Sequence, residues 1–174
     1  MTEQAITKQI GKPIEIDFRK PKAIGSTGFY LKSFKARNSD LENLKLDSKC
    51  NFEKRTNGIL LRANYSNKLT LIPISRESIN VITVTRGKEK INPFFLSPMW
   101  ILLKLGVSKL YARYFALWRF KEYSIDQMEL NLKTTEYEMK LIANGYRFER
   151  QLSFFESLNY ENKLKTIIKA HNKH

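Results

Sequence analysis

Few residues in this chain are of the types that carry out catalysis or bind metals. Its two histidines, His171 and His174, lie within the last four positions, where a chain is usually solvated, so neither a general base nor a metal ligand is expected there. The single cysteine, Cys50, follows Lys49 in a polar stretch. A neighbouring cation predicts a modestly lowered thiol pKa, but no histidine stands nearby in sequence to activate the thiol. One cysteine also excludes an internal disulfide and a thiolate cluster.

The other patterns that could mark an active site are equally weak. The glycines form neither a GxGxxG motif nor a P-loop, so no nucleotide site is indicated. Glu136 and Glu138 flank Tyr137 with the period of a strand, which places both carboxylates on one solvated face. We therefore expect a non-enzymatic protein that needs no cofactor and no metal ion.

Residues 93–121 form the most unusual stretch, with no acidic residue, five basic residues and nineteen apolar or aromatic residues. Ser97 followed by Pro98 is typical of a helix start. An unbroken helix would bring Trp100 and Trp118, eighteen residues apart, onto one face. Gly106 costs roughly 1 kcal/mol inside a helix, which leaves open a kink or a break into two shorter helices.

This stretch is too short and too charged to cross a bilayer. Its longest nearly uncharged run, residues 93–103, falls well short of the roughly 20 residues that a span requires. Basic residues beside aromatic ones are typical of a helix that lies in the plane of a membrane. The residues predicted to contact a membrane or a partner are Phe94, Phe95, Trp100, Lys104, Lys109, Arg113, Trp118 and Arg119. The alternative is that both tryptophans pack against the core.

The net charge of +14 is unevenly distributed, since residues 58–121 hold eleven basic and two acidic residues. A general enrichment in lysine would spread evenly along the chain, so this excess leaves two readings open with equal weight, a basic face for an anionic partner and a compositional bias. A membrane surface is the first candidate. The second is RNA or the ribosome, with Tyr65 as a stacking ring. The cations predicted for that alternative are Arg62, Arg76, Arg86, Lys88 and Lys90. A third possibility is an oligomer packed through the helix in residues 93–121.

Alternation of apolar and polar residues predicts mainly β structure around this element. The first twelve residues are polar and are expected to fray, and a β-hairpin is predicted within residues 13–35. Residues 58–64, 68–74 and 79–86 predict an antiparallel meander, and further strands are predicted within residues 128–152. Towards the C-terminus the sequence predicts a hairpin turn at Asn144-Gly145, a Ser153–Glu156 capping box and a helix to about residue 170.

This order of elements resembles the pleckstrin-homology-like barrel over residues 51–170. The resemblance implies an α+β fold, mainly an antiparallel and partly open β barrel, plugged by a C-terminal capping helix through Phe154, Phe155 and Leu158. It also implies a binding module for membranes or protein partners. The inserted amphipathic helix at 93–121 departs from the pattern. Residues 1–50 are predicted to be an N-terminal extension and residues 51–174 the barrel domain.

The start of the chain lacks the apolar core of a signal peptide. Together with the single cysteine, this favours a cytoplasmic protein, peripheral to the inner face of the membrane. We expect it to associate there with anionic lipid or with a membrane-bound partner.

Overall fold

The computed structural model describes residues 2–15, 24–36, 44–160 and 162–168, and these form a mixed α+β fold. The α-helices are α1 Glu3–Ile10, α2 Pro98–Lys104, α3 Lys109–Ala112 and α4 Phe148–Glu156. The strands are β1 Gly25–Ala36, β2 Lys49–Arg55, β3 Gly58–Tyr65, β4 Lys68–Ser75, β5 Ile79–Arg86, β6 Glu89–Ile91, β7 Tyr123–Ile125, β8 Met128–Thr134, β9 Tyr137–Ala143 and β10 Leu164–Ile168.

Eight of the strands form one sheet in the order β10-β5-β8-β9-β1-β2-β3-β4, which is not closed into a barrel. All neighbours are antiparallel except β10, which pairs with β5 in parallel. The strands predicted at 58–64, 68–74 and 79–86 are confirmed, but β5 does not pair with β4. Instead β5 lies six strand positions away from it, beside β8.

The short connection between β4 and β5 requires this open sheet to curl. Six strand spacings in a flat sheet would separate the two strands by about 29 Å. Only residues 76–78 join them, and such a link reaches at most about 14 Å. The two ends of the sheet must therefore approach each other without hydrogen-bonding into a closed barrel.

One hydrophobic core fills the concave side of the sheet, and α4 covers it. Phe155 packs edge to face against Phe29 and Phe52, with ring centroids 6.3 and 5.6 Å apart. Phe154 and Leu158 are buried in the same cluster. The predicted burial of Phe154, Phe155 and Leu158 is thus confirmed, because α4 and the turn that follows it close the space between the strands.

The N-terminal segment folds differently from the expectation. Helix α1 buries Ile6 and Ile10 in a second small cluster with Leu60, so residues 3–10 are helical and not frayed. Buried Arg55 ties this helix down, because its guanidinium lies 2.6 Å from the carboxylate of Glu3. Strand β1 pairs with β2 and β9, so it belongs to the main sheet and not to a local hairpin. Residues 16–23 lie outside the described part of the chain.

The Asn144-Gly145 hairpin prediction is wrong. Asn144 has a negative φ of −62° and its side chain accepts a hydrogen bond from the Tyr146 amide. A short 3-10 turn follows, and α4 begins at Phe148. Burial of Phe148, Gln151 and Phe155 at helical spacing explains why the chain becomes a helix here. Ser153 therefore lies inside the helix and does not cap it.

The predicted closing helix to residue 170 is also wrong beyond Glu156. Asn159 adopts a positive φ of 57°, and residues 164–168 then form β10 along the edge of the sheet. Three consecutive β-branched residues, Thr166, Ile167 and Ile168, favour a strand over a helix. The last six residues, including both histidines, lie outside the described part of the chain.

Cys50 provides a probe of the core. It lies in β2, fully buried, and burial raises the pKa of its thiol to about 12, against the lowering expected from Lys49. The thiolate is the reactive form, so a disulfide exchange reagent at pH 8 should not label the native protein. Labelling should follow the urea unfolding curve recorded by circular dichroism. Rapid labelling of the native protein would contradict the buried placement of Cys50.

Two alanine substitutions compare how much α4 and β10 contribute to the free energy of unfolding. Phe155→Ala removes a ring from the aromatic core and should lower the free energy of unfolding by about 3–5 kcal/mol. Ile168→Ala, at a side chain that is 64% exposed on the sheet edge, should cost less than about 1 kcal/mol. Urea denaturation measures both changes. Equal losses would indicate that Ile168 is buried, as a long closing helix would require.

Candidate functional site

Residues 93–121, here called the lobe, are carried by a two-stranded ribbon outside the main sheet. Strands β6 and β7 pair antiparallel, with Ile91 opposite Tyr123 and Glu89 opposite Ile125. The Asn92 amide donates to the Glu122 carbonyl at 2.8 Å, which extends the ribbon to the base of the lobe. The two ends of the lobe are therefore held side by side.

The single amphipathic helix predicted for the lobe is broken at Gly106. Helix α2 ends at Lys104 with Leu105 as its C-cap, and Gly106 has a φ of 83°. The Gly106 amide donates to the Leu103 carbonyl and the Val107 amide to the Leu102 carbonyl. This is a Schellman ending, for which glycine is favoured. Of the two possibilities that the sequence left open at Gly106, a kink or a break into shorter helices, the structure has the break.

The chain after Gly106 forms only short helical pieces. Helix α3 is followed by 3-10 turns at Arg113–Phe115 and Trp118–Phe120. The prediction that Trp100 and Trp118 share one face of a continuous helix is therefore wrong, since each lies on a different piece of the lobe.

A buried carboxylate, Glu122, joins the beginning of the lobe to its end. Its side chain is fully buried. Its Oε1 accepts hydrogen bonds from the Phe94 amide at 2.7 Å and from the Ser97 hydroxyl, and its Oε2 accepts one from the Leu117 amide at 2.6 Å. Among the described residues, no lysine or arginine forms an ion pair with it.

These hydrogen bonds determine the charge state of Glu122. Burial alone would raise the pKa of the carboxyl, but the donors Ser97, Leu117 and Phe94 outweigh burial and hold the pKa below its ordinary value. The group is therefore ionised at neutral pH, and its negative charge lies inside the lobe and not on its surface. Ser97 has a second contact, because its hydroxyl accepts from the Trp100 amide as the expected N-cap of α2.

The interior of the lobe is very small. Met99 and Ala112 are its buried apolar residues among those described, and neither belongs to the two hydrophobic clusters of the sheet. A segment of this length cannot cover nineteen apolar side chains with so little interior. Most of them therefore remain on its surface.

The surface of the lobe is rich in exposed apolar and aromatic side chains. Trp118 is 89% exposed, while Trp100 is half-buried and packs edge to face on Phe95. Phe94 stacks on Phe120 with ring centroids 4.8 Å apart, and both remain exposed. The exposed large apolar residues of the lobe are Phe94, Phe95, Leu96, Ile101, Leu105, Leu110, Tyr111, Tyr114, Phe115, Leu117, Trp118 and Phe120.

The basic residues predicted for this site fall into two groups. Lys104, Lys109 and Arg119 are exposed and form no ion pair with any described residue; the Lys104 ammonium lies over the Trp100 ring at 5.6 Å. Arg113 is half-buried at the base of the lobe, 3.8 Å from Glu89. Lys121, exposed at the end of the lobe, belongs with the first group although the sequence prediction did not name it.

The cations predicted for nucleic acid are mostly engaged within the fold. Arg62 donates twice to Glu53, at 2.9 and 2.7 Å. Arg86 and Lys90 pair with Glu89 and Asp126, while Arg76 lies over the Tyr160 ring and donates to the Asn159 carbonyl. Lys88 is half-buried and forms no ion pair within the described residues.

Neither protein-family models, nor curated proteins, nor solved structures give a significant match to this chain. In the part of the chain that the structure describes, no helix has the length and apolar character to cross a bilayer. No cluster of potential metal-binding side chains is found among those same residues.

Replacing Glu122 by glutamine tests how the lobe is held together. The amide group of Glu122→Gln would place a donor against the Leu117 or Phe94 amide, at a cost of about 2–3 kcal/mol. Amide hydrogen exchange at Phe94 and Leu117 should accelerate at pH 7.

The same carboxylate predicts a pH dependence. Because its pKa is lowered in the folded protein, the ionised Glu122 stabilises the folded lobe above the ordinary carboxyl pKa of about 4.3, and this stabilisation is lost as the pH falls through the lowered value. The native protein should therefore open its lobe only in acid.

The matched control is Glu138→Gln, which removes the same charge from an exposed pair with Lys133. Exposed pairs contribute little, so exchange in the lobe should not change in this variant. If Glu122→Gln left the Phe94 and Leu117 amides as protected as in the native protein, Glu122 would not hold the lobe.

Proposed function

We propose that this protein is a non-enzymatic binding module that docks on an anionic membrane surface through the lobe. The observation that carries the proposal is the composition of the accessible lobe surface. It combines exposed aromatic side chains with basic ones, and the one carboxylate that holds it together is buried.

The apolar part of this surface supports a partner that takes it out of water. Soluble monomers rarely keep large apolar patches exposed unless the patch binds something, and each Å² removed from water contributes roughly 25 cal/mol. Tryptophan and tyrosine favour the boundary between headgroups and acyl chains, because their rings are amphipathic. Phe95, Tyr114 and Trp118 are the rings best placed by exposure to enter that boundary.

The charge of the lobe supports an anionic bilayer over a second copy of the chain. Five basic residues and no acidic one lie in residues 93–121, and each cation near an anionic surface contributes about 1 kcal/mol. A symmetric dimer would bring the same surface against itself. The cations of the two copies would then face one another without compensation.

The fold adds a weaker argument. The order of elements, with a meander, an insertion, paired strands and a helix, resembles pleckstrin-homology-like modules, many of which act at membranes. The curled sheet, capped by Phe154 and Phe155, is similar to a partly open barrel. Strand β10 after α4 departs from that pattern. We include in the proposal an assignment to the inner face of the membrane, where anionic lipid is abundant.

Vesicle co-sedimentation tests the proposal. Phe95→Ser combined with Trp118→Ser removes two exposed rings without changing charge, and should reduce binding to vesicles containing anionic lipid at least about tenfold. The native protein should bind these vesicles and not purely zwitterionic ones. The control is Leu69→Ser combined with Ile168→Ser, which alters two exposed apolar residues outside the lobe and should bind like the native protein.

Two results would contradict membrane docking. One is an unchanged vesicle affinity in the Phe95 and Trp118 variant. The other is the absence of vesicle binding, together with RNA binding that Arg86→Glu, Lys88→Glu and Lys90→Glu abolish. A stable dimer that Trp118→Ser dissociates, without vesicle binding, would instead favour the oligomer.

A further inference from the structure

A cleft of about 420 Å³ lies where the lobe meets the sheet and α4. Its walls bring together three cations from separate parts of the chain. Arg86 ends β5, Lys109 begins α3 and Arg113 follows α3. The cleft is large enough for the polar headgroup of a lipid.

The two carboxylates in the cleft neutralise these cations unequally. Glu89 is well placed, with Oε1 2.7 Å from Arg86 and 3.8 Å from Arg113. Glu149 is 76% exposed and lies 3.9 Å from Arg86, so it contributes little. Lys109 has no ion-pair partner among the described residues. An incoming anion can therefore pair with Lys109 without displacing a carboxylate from it, and can displace Glu149 from Arg86.

The guanidinium of Arg86 is held in place at the wall of the cleft. It lies 5.6 Å over the Phe148 ring, and its Nε is buried without a hydrogen-bond acceptor among the described residues. The terminal nitrogens of Arg86 face Glu89 and Glu149 across the cleft, and a charged oxygen is the strongest acceptor available to a guanidinium. The arrangement of two arginines held by Glu89 with a nearby lysine is suited to a phosphate group.

We propose that this cleft binds the phosphomonoester of a lipid headgroup, such as that of phosphatidic acid. The inference rests on the proposed function, because Lys109 and Arg113 belong both to the cleft and to the lobe that contacts the membrane. A phosphomonoester presents more charge and one more free oxygen than a phosphodiester, so three cations recognise it better. The cleft adds headgroup selectivity to the docking provided by the aromatic rings.

The test compares vesicles of equal surface potential that contain phosphatidic acid or phosphatidylglycerol. The native protein should bind phosphatidic acid vesicles on the order of tenfold more tightly. Lys109→Gln should weaken both affinities and remove the preference. Lys104→Gln makes the same change on the same lobe, beside Trp100 and not among the cleft residues, and should weaken both affinities while keeping the preference.

Inorganic phosphate distinguishes failure of the cleft from failure of membrane docking. Titrated against chloride at constant ionic strength, it should shift the Arg86 Nε–H resonance in the native protein and in Lys104→Gln, but much less in Lys109→Gln. If no vesicle binds and this shift persists, membrane docking fails and the cleft binds free phosphate. Equal affinity for the two lipids overturns the lipid-headgroup proposal, and if phosphate also leaves Arg86 unshifted, the cleft is not an anion site.

Discussion

The buried carboxylate of Glu122 is the interaction on which the arrangement of the lobe depends. It receives the amides of Phe94 and Leu117 and the hydroxyl of Ser97, and so ties the first and last parts of the lobe to the β6–β7 ribbon. Hydrogen bonds to a charged acceptor away from water are strong and costly to lose. They compensate for an apolar interior that is too small to hold this segment by itself.

This interaction also explains why the lobe can remain so apolar on its surface. In the sheet, the side chains of Phe29, Phe52 and Phe155 are buried and stabilise the fold through packing. In the lobe, polar bonds to the backbone maintain the shape, which leaves rings such as Phe95 and Trp118 outward. Glu122, the acid that directly follows residues 93–121, is itself buried. The charge that the lobe presents at its surface is therefore positive.

Patterns confined to one strand predicted the sheet well, and patterns that depend on distant partners did not. Alternation over residues 79–86 and 128–132 is sufficient because each residue's face follows from its neighbours. The Asn144-Gly145 turn failed because burial of Phe148 and Phe155 favoured a helix there. For the candidate site, the composition of residues 93–121 singled out the segment that forms the lobe, and Gly106 marked the break within it. The sequence could not identify Glu122 as the residue that joins the two ends of the lobe, because two of its three hydrogen-bond partners are backbone amides, which any residue except proline supplies. The only local signal is that Glu122 is the first acid after an acid-free stretch.

Quenching of tryptophan fluorescence by brominated lipids tests the central claim directly, since both tryptophans, Trp100 and Trp118, lie in the lobe. With anionic vesicles brominated at successive acyl positions, we expect strong quenching by the shallowest bromine and progressively less by deeper ones. That profile would locate the lobe at the boundary between headgroups and acyl chains. Fluorescence that no brominated lipid quenches, under conditions where the protein sediments with the vesicles, would show that the protein binds through another surface.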